Sequence, residues 1–168
     1  NDFVRVMKNA APCASASAKC GDRVLVALAP VSVDGRAMQR GDIRVFKASE
    51  SYSEPKGQGF LEVAVNPRHP NPIAPPVRIS PEKNSMIYDG PDFFIFLEQL
   101  ELGDSRPRHS HSQRVVVVLN QTELLQQVDG QADFVRGVTP DDVRFNEPVV
   151  HAVKNMGKAP LRNIIIEL

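Results

Sequence analysis

RPRHSHSQRVVVVL, residues 106–119, decides how this chain is read. Strand side chains alternate between two faces with a period of two. As one strand, the stretch puts His109, His111 and Gln113 on a common face, with Val115, Val117 and Leu119 continuing it. Two imidazoles side by side make half of a metal site. A further histidine, His151, sits in a second β-like run, EPVVHAVKN. Folding of the sheet could bring it opposite the pair.

Short apolar runs rich in Val, Ile and Phe, broken often by Pro and Gly, predict an all-β chain. The strands expected are FVRVM (3–7), RVLVALA (23–29), GDIRVF (41–46), GFLEVAV (59–65), DFFIFLEQLEL (92–102), DDVRF, PVVHAVKN and LRNIIIEL. Asp34-Gly35 and Asp129-Gly130 read as hairpin turns. Residues 67–81 hold six prolines in fifteen positions and predict a connector or extended arm. His69 falls in that connector and is expected at the surface. Tyr52, Tyr88, Phe93, Phe94 and Phe96 are expected in core or interface, and the methionines in packing.

The chain of 168 residues repeats itself. Arg23-Val24-x-Val26-x-Leu28 parallels Arg114-Val115-x-Val117-x-Leu119. Val33-Asp34-Gly35-x-Ala37 parallels Val128-Asp129-Gly130-x-Ala132. Asp42-x-Arg44 parallels Asp142-x-Arg144, and Gly57 and Leu61 parallel Gly157 and Leu161. These matches predict two copies of one β unit: residues 1–80, including the connector, and residues 81–168. No histidine of the set has a counterpart in the first copy, which reads as a scaffold or docking surface.

A formal net charge of zero and a pI near 7.1 point to neither nucleic acid nor an acidic membrane surface as partner. No apolar run is long enough for a spanning helix, so no membrane insertion is expected. No glycine-rich phosphate loop or Gly-x-Ser-x-Gly elbow is present. Cys13 and Cys20 lack a second pair for a zinc knuckle. They are either a short-loop disulfide, implying an oxidising compartment, or two small buried residues. The first residue, Asn1, is consistent with a removed leader. The expectation leans toward a periplasmic or exported protein, with the cytoplasm as the alternative.

Gly103-x5-His109-x-His111 with His151-x3-Asn155 resembles the two metal motifs of the cupin superfamily. The likeness covers most of the second half in detail, and the first half is similar to a degenerate second copy. It implies two tandem cupin-like β-barrels of the jelly-roll or double-stranded β-helix type, a compact bicupin whose second copy carries the site. A single barrel extended by first-half strands is the variant. The likeness also implies a homodimer, a small-molecule ligand or substrate, and His109, His111 and His151 as ligands of a divalent transition metal (Fe, Zn, Ni or Mn, with Fe favoured).

The sequence departs from the family pattern where a glutamate normally follows the second histidine. Those positions are Val115 and Val116. The second motif's Pro-x-Gly is replaced by Asn146, Glu147 and Pro148. Without the carboxylate the site resembles three-histidine ferrous centres, as in thiol, diketone-cleaving and gentisate-type dioxygenases. Its greater positive charge would favour an anionic, chelating substrate. The alternative is a non-enzymatic binding or structural cupin with or without a metal. Gln113 is expected as a weak fourth ligand, a hydrogen-bond partner of an imidazole, or a satisfied core residue. Asn155 is expected in the pocket or behind the ligands in a structural role. Strand parity turns Arg106, Arg108 and Arg114 away from the histidine face, onto a solvated rim.

Overall fold

The computed structural model describes residues 2–15, 20–66 and 80–168 of the chain. His69 and nearly all of the proline-rich connector lie outside the described residues. The chain divides into two compact units, residues 1–69 and 70–168. Among the described residues every regular element is a strand, and no helix is long and apolar enough to cross a membrane.

In the first unit the strands are β1 (Val4–Lys8), β2 (Asp22–Ala27), β3 (Val31–Val33), β4 (Arg36–Met38), β5 (Ile43–Phe46) and β6 (Phe60–Val65). Four form an antiparallel sheet in the order β1-β6-β2-β5, and β3-β4 is a hairpin. Its two-residue loop, Asp34-Gly35, has φ of 51° and 72°. Two positive φ values are what a type I′ turn requires, which is why Asp-Gly stands there. Leu25, Val33, Phe46, Tyr52 and Phe60 pack into its core. Cys13 and Cys20 form a disulfide.

The second unit holds β7 (Asn84–Asp89), β8 (Phe94–Leu100), β9 (Ser105–His111), β10 (Arg114–Val118), β11 (Thr122–Val128), β12 (Phe134–Val138), β13 (Val143–Asn146), β14 (Val149–Asn155) and β15 (Leu161–Glu167). One sheet runs β13-β10-β15-β8-β7 and the other β12-β11-β14-β9. The opening stretch is therefore two strands. The chain leaves one sheet after His111, crosses at Ser112 and Gln113, and enters the other at Arg114. A change of sheet breaks alternation, so the parity read across residues 106–119 does not hold.

β1, β6, β2 and β5 adjoin one another in the order that β8, β15, β10 and β13 do. The β3-β4 hairpin corresponds to β11-β12. Arg23 Nη1 donates to the carbonyls of Gly21 and Lys47, and Arg114 Nη1 donates to those of Ser112 and Glu147. One match shifts: Val26 pairs with Leu61 and Val117 with Ile164, so Leu61 corresponds to Ile164 and not to Leu161.

Three strands of the second unit, β7, β9 and β14, have no counterpart among the described residues of the first. β9 and β14 are the strands that carry the histidines. Where they would fall, the described residues of the first unit form no strand. A bridge from Ser32 to Lys56 stands where β11 pairs with β14. A bond from Tyr52 N to Ala14 O, 2.9 Å, stands where β14 meets β9. The disulfide lies in the first of these stretches.

The aromatic expectations hold for Tyr52, Phe93, Phe94 and Phe96, all buried. Among the methionines only Met38 is buried; Met7, Met86 and Met156 are exposed. The edge strand β7 was not anticipated, since NSMIYD lacks clean alternation.

Candidate metal centre

Register brings the three histidines together. His151 on β14 pairs directly with His109 on β9, and Val149 pairs with His111. The ring centroids of His109 and His151 are 4.6 Å apart, those of His109 and His111 4.8 Å, and those of His111 and His151 5.3 Å. One ligand nitrogen from each lies within 4.8 Å of the others. All three side chains are buried.

Each ring is oriented from behind. His109 Nδ1 is 2.7 Å from the Pro107 carbonyl, His111 Nδ1 is 3.0 Å from Glu167 Oε2, and His151 Nδ1 is 2.9 Å from Gln126 Oε1. Each partner is an acceptor, so each Nδ1 carries the proton and each Nε2 presents a lone pair. His109 Nε2 and His111 Nε2 lie 3.0 Å apart, and His151 Nε2 is buried with no partner. Two facing lone pairs and one orphan repel one another unless a cation or proton sits among them. A divalent ion bonded at about 2.0–2.1 Å per nitrogen bridges nitrogens up to about 4.2 Å apart, and the 3.0 Å between His109 Nε2 and His111 Nε2 lies within that reach. The donor set fits the metal that the sequence implied.

Burial keeps the rings neutral. It lowers His109 to about 4, helped by Arg106, and His151 to about 2, helped by His109 and His111. It holds His111 well below its ordinary value, with Arg114 adding to the effect. The contact between His111 and Glu167 is therefore a hydrogen bond from a neutral imidazole. Burial pushes the Glu167 carboxyl up to about 7, against the pull of Arg114.

These values set a pH dependence. Unfolded imidazoles take up protons near 6.5, the folded ones only at about 4 and about 2. Between those limits the unfolded chain binds more protons, so stability drops as pH falls. At about 1.4 kcal/mol per pKa unit, His109 alone contributes about 3 kcal/mol. Glu167 acts oppositely, since its folded value of about 7 exceeds the unfolded 4.5. Three imidazoles outweigh one carboxyl. The Tm of chelator-treated protein is expected to fall between pH 6.5 and 4; a constant or rising Tm would contradict these assignments.

The arginine expectation is corrected. Opposite the two-residue step from His151 to Val153, β9 runs from His109 to Arg106, one residue more, and the register shifts. This bulge, at Pro107 and Arg108, flips the parity. The Arg106 side chain is 1% exposed and ion-paired with Glu98, while Arg108 is 67% exposed and paired with Asp129. Arg114 is also buried. Only Arg108 stands on a solvated rim.

Gln113 does not reach an imidazole; its Nε2 donates to Glu147. Asn155 does not line the cavity. It ties loops together, accepting from Thr122 Oγ1 at 2.7 Å and Gly157 N, and donating to the carbonyls of Leu100, Glu101 and Ala159. A Cβ on Gly157 would collide with Thr122 Oγ1, so glycine there is part of the same knot. Sequence reasoning missed Glu98, Gln126 and Glu167. Glu167 lies 56 residues from His111, and only the pairing of β15 with β10 brings it close.

A cavity of about 290 Å³ opens from the histidines between the two sheets, lined by His111 and His151 with Arg114, Val116, Val153 and Ile165 among others. Val116 and Ile165 are paired on the inner face.

Solved structures similar to this chain include two cupins. A cupin 2 conserved barrel domain protein from Leptotrichia buccalis is 14% identical, with a TM-score of 0.55, matching all of this chain and 79% of its own. A cupin domain from Bordetella pertussis Tohama I is 20% identical, with a TM-score of 0.47 over 60% of this chain and 95% of its own. No protein-family model and no curated protein matches the sequence. The chain has the cupin fold, the double-stranded β-helix of that superfamily. Within that fold its second unit brings together three histidines that could hold a metal ion.

Proposed function

We propose that the chain is a compact bicupin whose second unit holds a divalent transition metal, iron favoured, through His109, His111 and His151, and acts on a small chelating molecule as a dioxygenase-type enzyme. The observation that carries this reading is the set of three Nε2 lone pairs turned toward one another, each ring held from behind by an acceptor at 2.7–3.0 Å. A metal ion bound by three neutral ligands keeps its full charge and open positions, which supplies Lewis acidity and, with iron, a place for dioxygen. The protein contributes the orientation of the rings, an apolar wall at Val116, Val153 and Ile165, and burial that keeps the imidazoles unprotonated. The first unit serves as scaffold. Its disulfide supports an exported location, and the exposed Met86 and Ile87 on edge strand β7 support pairing into a homodimer.

A non-enzymatic binding or structural cupin is the second reading. It is favoured by the commitment of the nearby carboxylates: Glu98 to Arg106 and Asn163, and Glu167 to His111 and Ser112. Neither is free to serve as a general base. Elemental analysis of protein purified without chelators, followed by oxygen uptake with catechols, thiols and diketones, separates the two. About one iron per chain with substrate-dependent oxygen consumption is expected. A bound metal without turnover would leave the second reading, and protein free of metal would remove the first.

A further inference from the structure

The two edge strands that flank the cavity each contribute an arginine to its wall. Arg136 on β12 pairs with the inward Leu124, and Arg144 on β13 pairs with the inward Val116. Both line the cavity. Arg144 Nη2 is 2.7 Å from Asp142. Arg136 has no hydrogen-bond acceptor among the described residues. It stands exposed on β12, and partial burial together with the nearby Arg144 lowers its pKa. With Arg114 the lining holds three guanidiniums against the carboxylates of Glu98 and Glu147, and Glu98 is taken up by Arg106. The first unit's counterpart of Arg144, Arg44, pairs with Asp34 and lies over the Phe46 ring. In the second unit the place of Phe46 is taken by Asn146, and that cover is gone.

At another inner-face position the cavity presents an unmet acceptor. Asn163 is 4% exposed and lines the cavity. Its Nδ2 donates to Glu98 at 3.0 Å, which fixes the amide orientation and leaves Oδ1 buried without a donor. A buried acceptor without a partner costs about 1–3 kcal/mol, which a ligand donor would recover. The volume of about 290 Å³ is at the small end for ligand sites.

From these features we infer that the cavity takes a small organic carboxylate bearing a hydroxyl or amine, with the anionic group held by Arg136 and Arg144 and the donor met by Asn163 Oδ1. A carboxylate accepts two parallel N–H bonds from one guanidinium, which is why arginine serves here better than lysine. The inference rests on the proposed reading of this cavity as the site of a small ligand and adds the substrate class.

Calorimetric titration with lactate, malate and salicylate, beside lactamide and salicylamide, tests it on chelator-treated and zinc-loaded protein. At least one acid is expected to bind saturably and about tenfold or more tighter than a neutral amide. Arg136→Gln should weaken that acid about tenfold, Arg144→Gln similarly, and Arg108→Gln, outside the cavity, less than about twofold. Equal binding of acids and amides, no binding of any acid, or an unchanged affinity in both cavity variants overturns the inference. Zinc retention by equilibrium dialysis keeps the two readings apart. Acids bound through Arg136 by a chain that holds no zinc would uphold the inference and remove the metal reading. Zinc held with no acid bound would do the reverse.

Discussion

His151→Ala is expected to strip the protein of nearly all its metal, taking the content from about one ion per chain to near zero after dialysis. Even removing a group behind a ligand costs about 10–100-fold in metal affinity, and loss of a ligand should cost more than that. His109 and His111 share β9, so they alone offer two nitrogens from one strand. His151, from the paired strand β14, supplies the third. Gln126→Ala, which removes the acceptor 2.9 Å from His151 Nδ1, should give a smaller loss within that 10–100-fold range. Metal content by mass spectrometry, with circular dichroism to confirm the fold, measures both. Full metal retention in His151→Ala would show that the three rings do not share an ion.

The largest effect on stability is expected at Glu98. Arg106 lies almost wholly out of solvent, its Nη1 on Glu98 and its Nη2 without a partner. Glu98→Leu would leave that guanidinium buried and unpaired, at a cost of about 3–5 kcal/mol. Arg106→Met alone leaves Glu98 with Asn163 as a remaining donor and should cost less. The double variant Glu98→Leu/Arg106→Met should recover most of the loss, because two apolar chains of similar volume remove the desolvation problem. Urea unfolding of the four proteins gives the coupling energy. A double variant no more stable than Glu98→Leu would mean that the pair is not what holds this part of the barrel.

The distance from sequence to site differs residue by residue. The histidines were legible because His-x-His on a strand and a third histidine in a second β run form a local pattern. Arg106 was misread because one extra residue at Pro107–Arg108 reverses every side chain before it. Gln113 was misread because the chain changes sheets at that residue. Arg144 was read only as part of the repeat, and Arg136 gave no local signal. They became wall residues only because their strands lie at the adjacent edges of the two sheets.

By itself the sequence determined the all-β class, the Asp-Gly turns and the three imidazoles. All of these rest on short-range rules of alternation and turn chemistry. Only the tertiary structure decided which faces those residues occupy and which carboxylates and guanidiniums stand beside them. It also decided that, among the described residues, the first unit has no strand where the histidine strands β9 and β14 fall. Strand pairing joins residues more than fifty positions apart, and no local pattern encodes a partner at that distance.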